Sequence, residues 1–116
     1  MSNSILRNKS KEFAVDIVLL CRKLKTADVE FSLYNQLLRC GTSVGANVSE
    51  AQYAQGTKDF ISKFEIALKE CNESEYWLEI LLETDSLARA DFNRLQSQCV
   101  ELRRMLVSSI TTLKNK

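Results

Sequence analysis

The sequence predicts an all-α fold, a single antiparallel four-helix bundle with up-down-up-down topology that takes up residues 1–116. Two features of the composition favour helices, because proline is absent and only three residues are glycine. The third observation is the spacing of apolar residues, which recur at steps of three and four in four separate segments. Short polar breaks separate these segments, so consecutive helices should run antiparallel. A chain of this length can bury one core and form one domain.

The four predicted helices cover residues 5–26, 29–53, 58–84 and 91–114. Each carries one apolar stripe, which is typical of left-handed helix packing. The third helix shows the pattern most clearly, with apolar or small side chains at Phe60, Phe64, Ala67, Cys71, Ser74, Leu78 and Leu81.

The breaks between the helices contain residues that commonly cap helix ends. Thr26 and Asp28 are candidate N-caps for the second helix, and Asp91 is the candidate for the fourth. Gly56 is expected to stop the second helix, and Thr57 is expected to cap the third.

The residue types present argue against an enzyme and against a metal or cofactor site. Histidine, the commonest general base and metal ligand, is absent from the sequence. Glutamates in the third helix have the spacing of a solvated face. The four cysteines form no CxxC pair, so we expect them to be small buried hydrophobes at Cys21, Cys40, Cys71 and Cys99.

The sequence also predicts a cytoplasmic protein without a membrane span. The longest apolar run, residues 17–21, is far too short to cross a bilayer. The first residues have no apolar segment of the kind found in a signal peptide.

Charge is distributed unevenly along the chain. Residues 1–26 and 86–116 each carry a net charge of +4, whereas residues 27–56 carry −2 and residues 57–85 carry −5. The first and last helices are neighbours in this topology, so their basic side chains should share one side. That side could bind nucleic acid, an acidic protein or another subunit, or it could simply be solvated. The candidate residues are Arg7, Lys9, Lys11, Arg22, Lys23, Lys25, Arg94, Arg103, Arg104 and Lys114, with Arg89 and Lys116 nearby.

Two glycines lie in the middle of the second helix. Gly41 and Gly45 should together cost about 2 kcal/mol of helix propensity. Neither precedes a lysine, so the segment is not a phosphate-binding P-loop. We therefore expect another helix, in the same chain or in another subunit, to approach closely at these positions.

A polar ladder follows the other flank of the second helix, at Arg39, Ser43, Asn47 and Glu50. Serine and asparagine are poor residues for the middle of a helix, which favours a partly buried hydrogen-bond network over a solvent-exposed face. The third helix has a matching polar line at Glu65, Lys69, Asn72 and Tyr76. The ladder could face that helix or a neighbouring subunit.

Two segments, "LLRCGTSVGANVSEA" and "TKDFISKFEIALKECNESEYWLEIL", resemble a known bacterial family. This family comprises the four-helix-bundle proteins encoded by intervening sequences in 23S ribosomal RNA genes. Ala51 departs from the glycine that many members have. The matching residues are Arg39, Ser43, Val44, Ala46, Asn47, Val48 and Glu50 in the first segment and Thr57, Asp59, Phe60, Ile66, Ala67 and Glu73 in the second.

The resemblance implies a non-catalytic protein similar to the accessory variability determinant of diversity-generating retroelements. Such relatives form ring-shaped pentamers, and the retroelement member binds its reverse transcriptase and nucleic acid through basic surfaces. The resemblance thus implies a homopentamer with RNA, DNA or a reverse-transcriptase-like protein as partner, and it would make the glycines and the polar ladder subunit-facing. The alternative is a protein-binding scaffold with no nucleic-acid affinity.

Overall fold

The structure, a computed structural model, describes residues 2–116 and the side chains of residues 4–116. Residues 2–116 form four α-helices and contain no strand. The all-α prediction is therefore confirmed. The helices are α1 (Ser2–Thr26), α2 (Phe31–Ala51), α3 (Thr57–Glu83) and α4 (Arg89–Lys114).

Each helix turns its predicted apolar stripe toward a common core. In α1 the four stripe residues Phe13, Ile17, Leu20 and Leu24 are all buried. Ser74 is the buried polar member of the α3 stripe, and its hydroxyl donates a hydrogen bond to the Glu70 carbonyl at 2.8 Å. In α4 the predicted stripe holds as far as Leu106, after which Ile110 is the buried residue.

Neighbouring helices in the sequence are neighbours in the structure. α2 packs against α1 and α3, and α4 packs against α3 and less extensively against α1. Along the contact between α1 and α4, residue numbers increase in one helix while they decrease in the other. Lys9 contacts Glu101, and Lys23 contacts Asp91. The molecule is elongated, with extents of 48 × 21 × 19 Å.

The helix ends differ from the predicted caps. Asp28, proposed as an N-cap, instead has a φ of 65° in the turn after α1. Thr57 begins α3, and Asp91 lies in the first turn of α4. The N-cap positions of α2, α3 and α4 are occupied by Glu30, Gly56 and Ala88, none of which makes a side-chain cap hydrogen bond. Asp28 adopts a left-handed turn conformation and Asp91 lies inside the first turn of α4, so neither residue occupies an N-cap position.

Candidate nucleic-acid and partner-binding surfaces

The seam between α1 and α4 is held by oppositely charged side chains. The carboxylates come from both helices, so this seam is not the uniformly basic side that the charge count predicted. A groove of about 710 Å³ lies along it, lined by both signs of charge. Its ion pairs are Lys9 with Glu101 at 3.3 Å, Arg94 with Asp16 at 3.4 Å, and Lys23 with Asp91 at 3.1 Å.

Two further basic residues of α4 point toward acidic α3. The Arg103 guanidinium donates to Glu75 at 2.8 Å and to Asn72 Oδ1 at 3.1 Å. Lys114 forms an ion pair with Glu65 at 2.9 Å. Of the ten candidate basic residues, five are therefore compensated by a carboxylate in the same chain.

Four of the other five candidates form one line on α1. Arg7, Lys11, Arg22 and Lys25 are all exposed, and no ion pair involves them among the side chains of residues 4–116. At about 100° per residue they fall within about 60° of one another around the helix. We call them the α1 basic line. Arg104, the fifth, is exposed on α4 and lies apart from this line.

The α1 basic line lies on the outward side of α1, toward α2, and Lys11 also lines the groove between α1 and α4. The stripe residue Ile17 contacts α2, as do Ser10 and Cys21, which lie between the core stripe and the basic line on the helical wheel. The exposed and half-buried side chains on the adjoining flank of α2 are uncharged. They are Phe31, Asn35, Leu38, Thr42 and Ser49. We call this combined surface the α1–α2 face.

The glycines of α2 lie against α1 of the same chain. A Cβ added at Gly41 would come within 2.9 Å of Ile17 Cγ1 and Cγ2, and one added at Gly45 would lie 3.1 Å from the Ser10 carbonyl oxygen. The close helix contact is thus made inside the chain. Gly41 is buried under α1, so it cannot contact a neighbouring subunit, whereas Gly45 is half-buried.

The polar ladder bonds mainly to its own helix. The Ser43 hydroxyl donates to the Arg39 carbonyl at 2.7 Å, and Asn47 Nδ2 donates to the Ser43 carbonyl at 2.8 Å. One contact reaches α3, between Glu50 and Lys63 at 3.8 Å. Among the described side chains, the expected network with α3 is limited to this one ion pair, because the serine and the asparagine bond to carbonyl groups of their own helix.

The matching polar line predicted on α3 turns away from the ladder. Glu65 and Asn72 are bound by side chains of α4. Arg39 and Glu50 are exposed. The ladder therefore belongs to the outer surface between α2 and α3.

The four cysteines are free and buried. Burial raises the pKa of Cys21 and of Cys40 to about 11. The Cys71 thiol and burial both raise the pKa of Cys99. Thiols with raised pKa values carry almost no thiolate at neutral pH and are poor nucleophiles.

The described residues contain neither a metal-binding cluster nor a membrane-spanning helix. Across the part of the chain that the structure describes, no three histidine, cysteine or carboxylate side chains are grouped to hold a metal ion. Within the same residues, no helix combines the length and the apolar character that a membrane span requires.

The fold and these surfaces define a small all-α protein of four helices with charged outer faces. Its sequence matches the family model of the 23S rRNA-intervening sequence proteins over residues 2–108. The chain therefore belongs to the 23S rRNA-intervening sequence protein family.

The structure is also similar to a crystal structure from Bacteroides thetaiotaomicron VPI-5482, of a protein with unknown function from the S23 ribosomal protein family. The two share 44% sequence identity with a TM-score of 0.93, over 96% of this chain and 99% of the other. Comparison with curated proteins found no match.

Proposed function

We propose that the chain is a cytoplasmic, non-catalytic assembly protein whose up-down-up-down bundles close into a ring-shaped homo-oligomer, a pentamer. It binds nucleic acid, or a reverse-transcriptase-like enzyme that acts on nucleic acid, through basic residues on α1 and α4. Contacts of this kind are made mainly to phosphates and are largely independent of sequence.

The observation that carries the nucleic-acid part is the α1 basic line. Its four exposed cations have no carboxylate partner among the described side chains, whereas Lys9, Lys23 and Arg103 are paired. A compensated cation gains less from a phosphate because its carboxylate is a competing partner. We therefore assign the larger role to α1, with Arg104 as the contribution of α4.

Exposed apolar side chains support the ring. Ile5, Val15 and Leu19 are about half exposed on α1, and Val100 and Val107 are about two-fifths exposed on α4, toward α3. Two unlike patches on different faces favour a head-to-tail contact between copies, and such contacts close into rings when the rotation per subunit allows it.

The test of this proposal is a salt titration of binding to labelled RNA and DNA, measured by fluorescence anisotropy, with the mass of the protein measured by light scattering in the same buffers. We expect a multimeric mass and an affinity that falls steeply as salt rises. A flat salt response, or no binding at low salt, would contradict the nucleic-acid part. A monomeric mass would contradict the ring.

The second candidate is a protein-binding scaffold with no nucleic-acid affinity. It is favoured by the neutralisation of half the basic candidates within the chain and by the exposed apolar residues on α1. Nucleic acid that co-purifies with the protein, seen as raised absorbance near 260 nm, would exclude this candidate.

A further inference from the structure

We propose that single-stranded nucleic acid lies along the α1–α2 face, with its phosphates on the α1 basic line and its bases stacked on Phe31 and Tyr53. This inference rests on the proposed function and adds the strand class, the surface and the stacking residues.

The cations of this face lie in two groups along α1. Arg7 and Lys11 are one turn apart, as are Arg22 and Lys25. The line is about 27 Å long at a rise of 1.5 Å per residue. Exposed carboxylates lie near both groups in the sequence, since Glu12 follows Lys11 directly and Asp28 and Glu30 come after Lys25.

Small residues bring the two helices of this face together. Gly41 and Gly45 of α2 lie against Ile17 and Ser10 of α1, close enough that an added Cβ would crowd both. The cations of α1 therefore stand directly beside the uncharged flank of α2. A strand that follows the cations can reach α2 without passing an acidic side chain of that flank.

Two aromatic rings lie on the α2 side of the face. Phe31 is 64% exposed and Tyr53 is 85% exposed, the highest values among the large apolar side chains of residues 4–116. Neither ring belongs to the hydrophobic core. The Phe31 ring forms a T-shaped pair with the ring of buried Tyr34 at a centroid distance of 5.5 Å, and this contact orients Phe31.

The rings stand at opposite ends of the face. Phe31 begins α2, next to the end of α1 that carries Arg22 and Lys25, and Tyr53 follows the last turn of α2. The Tyr53 N–H donates a hydrogen bond to the Glu50 carbonyl at 2.9 Å, so the backbone at Tyr53 is still attached to the last turn of α2. On a helix with 100° and a rise of 1.5 Å per residue, positions 31 and 53 are about 40° apart around the axis and about 33 Å apart along it.

Exposed aromatics beside a line of cations favour a single strand over a duplex. Unpaired bases offer their faces for stacking, whereas the bases of a duplex are stacked on one another. The span between the rings suits a site of several nucleotides, within the range of about 4–16 for single-strand sites. RNA and DNA share this chemistry, so both are expected to bind.

The first test measures anisotropy of an unstructured, labelled 12-nucleotide RNA, the matching DNA strand, and the duplex of that DNA. We expect either single strand to bind at least tenfold more tightly than the duplex. The double variant Phe31→Leu/Tyr53→Leu should lose about tenfold in single-strand affinity for each ring. The control is Tyr76→Leu, which removes an aromatic ring that is 53% exposed on α3 and should leave binding unchanged.

The second test separates the α1 basic line from overall charge. The triple variant Arg7→Gln/Lys11→Gln/Arg22→Gln should weaken binding and reduce the steepness of the log–log salt dependence by about two. The control removes the same charge from α3, as Lys58→Gln/Lys63→Gln/Lys69→Gln, and should change both quantities much less.

The outcomes distinguish this inference from the proposed function. If the unmodified protein binds no nucleic acid at low salt, both fail. If it binds but prefers duplex, or loses nothing in Phe31→Leu/Tyr53→Leu, the stacking inference is overturned and the proposed function stands. Equal losses in the two charge variants would overturn the α1 basic line as the site.

Discussion

Gly41 and Gly45 allow α1 and α2 to approach closely, but they meet different neighbours. Gly41 faces the branched carbons of Ile17, which a Cβ would approach to 2.9 Å. Gly45 faces the Ser10 backbone at 3.1 Å. Since the Ile17 carbons next to Gly41 sit close to the main chain, they cannot move aside as the end of a long side chain can.

We predict that Gly41→Ala lowers the free energy of unfolding by about 1–3 kcal/mol, the usual cost of overpacking a core. This would happen even though alanine is the better helix residue by about 1 kcal/mol. Urea denaturation followed by circular dichroism measures the change.

Ser49→Ala is the matched control, because Ser49 is exposed on the same helix. That substitution should raise stability by about 0.5 kcal/mol through propensity alone. A Gly41→Ala variant as stable as the unmodified protein would show that the Ile17 side chain can move aside for the added methyl group.

The role of these glycines was only half predictable from the sequence. Two glycines inside a helix signal a close neighbour because their propensity cost must be offset. Whether that neighbour is α1 or another subunit depends on contacts that a helical wheel does not contain.

The exposed position of Phe31 was not predicted from the sequence. The signal was present, because Phe31 lies off the apolar stripe that runs through Leu37 and Cys40.

At the level of the helices, the N-terminus of α4 shows how an end can form without a side-chain cap. Ala88 occupies the N-cap position with φ −65° and ψ 143° and cannot accept a hydrogen bond from the first turn. The exposed N–H groups of that turn are therefore left to solvent.

We predict that Ala88→Ser stabilises the protein by about 1 kcal/mol, because the serine oxygen can accept a hydrogen bond from an N–H of the first turn. The melting temperature should rise by a few degrees. Differential scanning calorimetry measures both quantities.

Ala90→Ser provides the control, since Ala90 is exposed inside the same first turn. Serine there has no capping role and should cost a few tenths of a kcal/mol. If Ala88→Ser is no more stable than Ala90→Ser, water already satisfies these N–H groups as well as a side chain would.

The helices themselves were predictable, and their ends were not. Steps of three and four identified the buried face of every helix because burial of that face determines the fold. The turn residues Asp28 and Asp85 have positive φ values of 65° and 58°. Aspartate serves both as an N-cap and as a left-handed turn residue, so its identity does not tell the two roles apart.

For the whole molecule, the net charges of the sequence segments did not predict how the charges are arranged on the surface. Segment totals of +4 correctly located excess positive charge in α1 and α4. They could not show that Asp16, Asp91 and Glu101 face the cations of the opposite helix, since that depends on how the helices align. Neither the totals nor the family pattern singled out the α1 basic line.

We predict that Asp91→Asn removes part of the acid sensitivity of stability. The hydrogen bond from Lys23, more than any other interaction, lowers the pKa of Asp91 below its usual value. A depressed carboxyl pKa adds stability above the unfolded-state pKa of about 3.9, and this stability is lost as pH falls through the folded-state value. The variant should thus be less stable at pH 7 and approach the unmodified protein as the pH falls below the unfolded-state pKa.

Urea denaturation at several pH values between 7 and 2.5 tests this prediction. Glu12→Gln is the control, because Glu12 is exposed on α1 and makes no ion pair among the described side chains. Its stability curve should run parallel to that of the unmodified protein. If the difference in the free energy of unfolding between Asp91→Asn and the unmodified protein stays the same down to pH 2.5, the lowered pKa of Asp91 is contradicted.

The four buried cysteines can serve as natural probes of local opening in the bundle. Each helix carries one, and each is at most 4% exposed. A buried thiol reacts with an alkylating reagent only after its surroundings open, so its labelling rate reports the free energy of that opening. Mass spectrometry of the labelled peptides would therefore give a separate local stability for every helix, with no introduced probe.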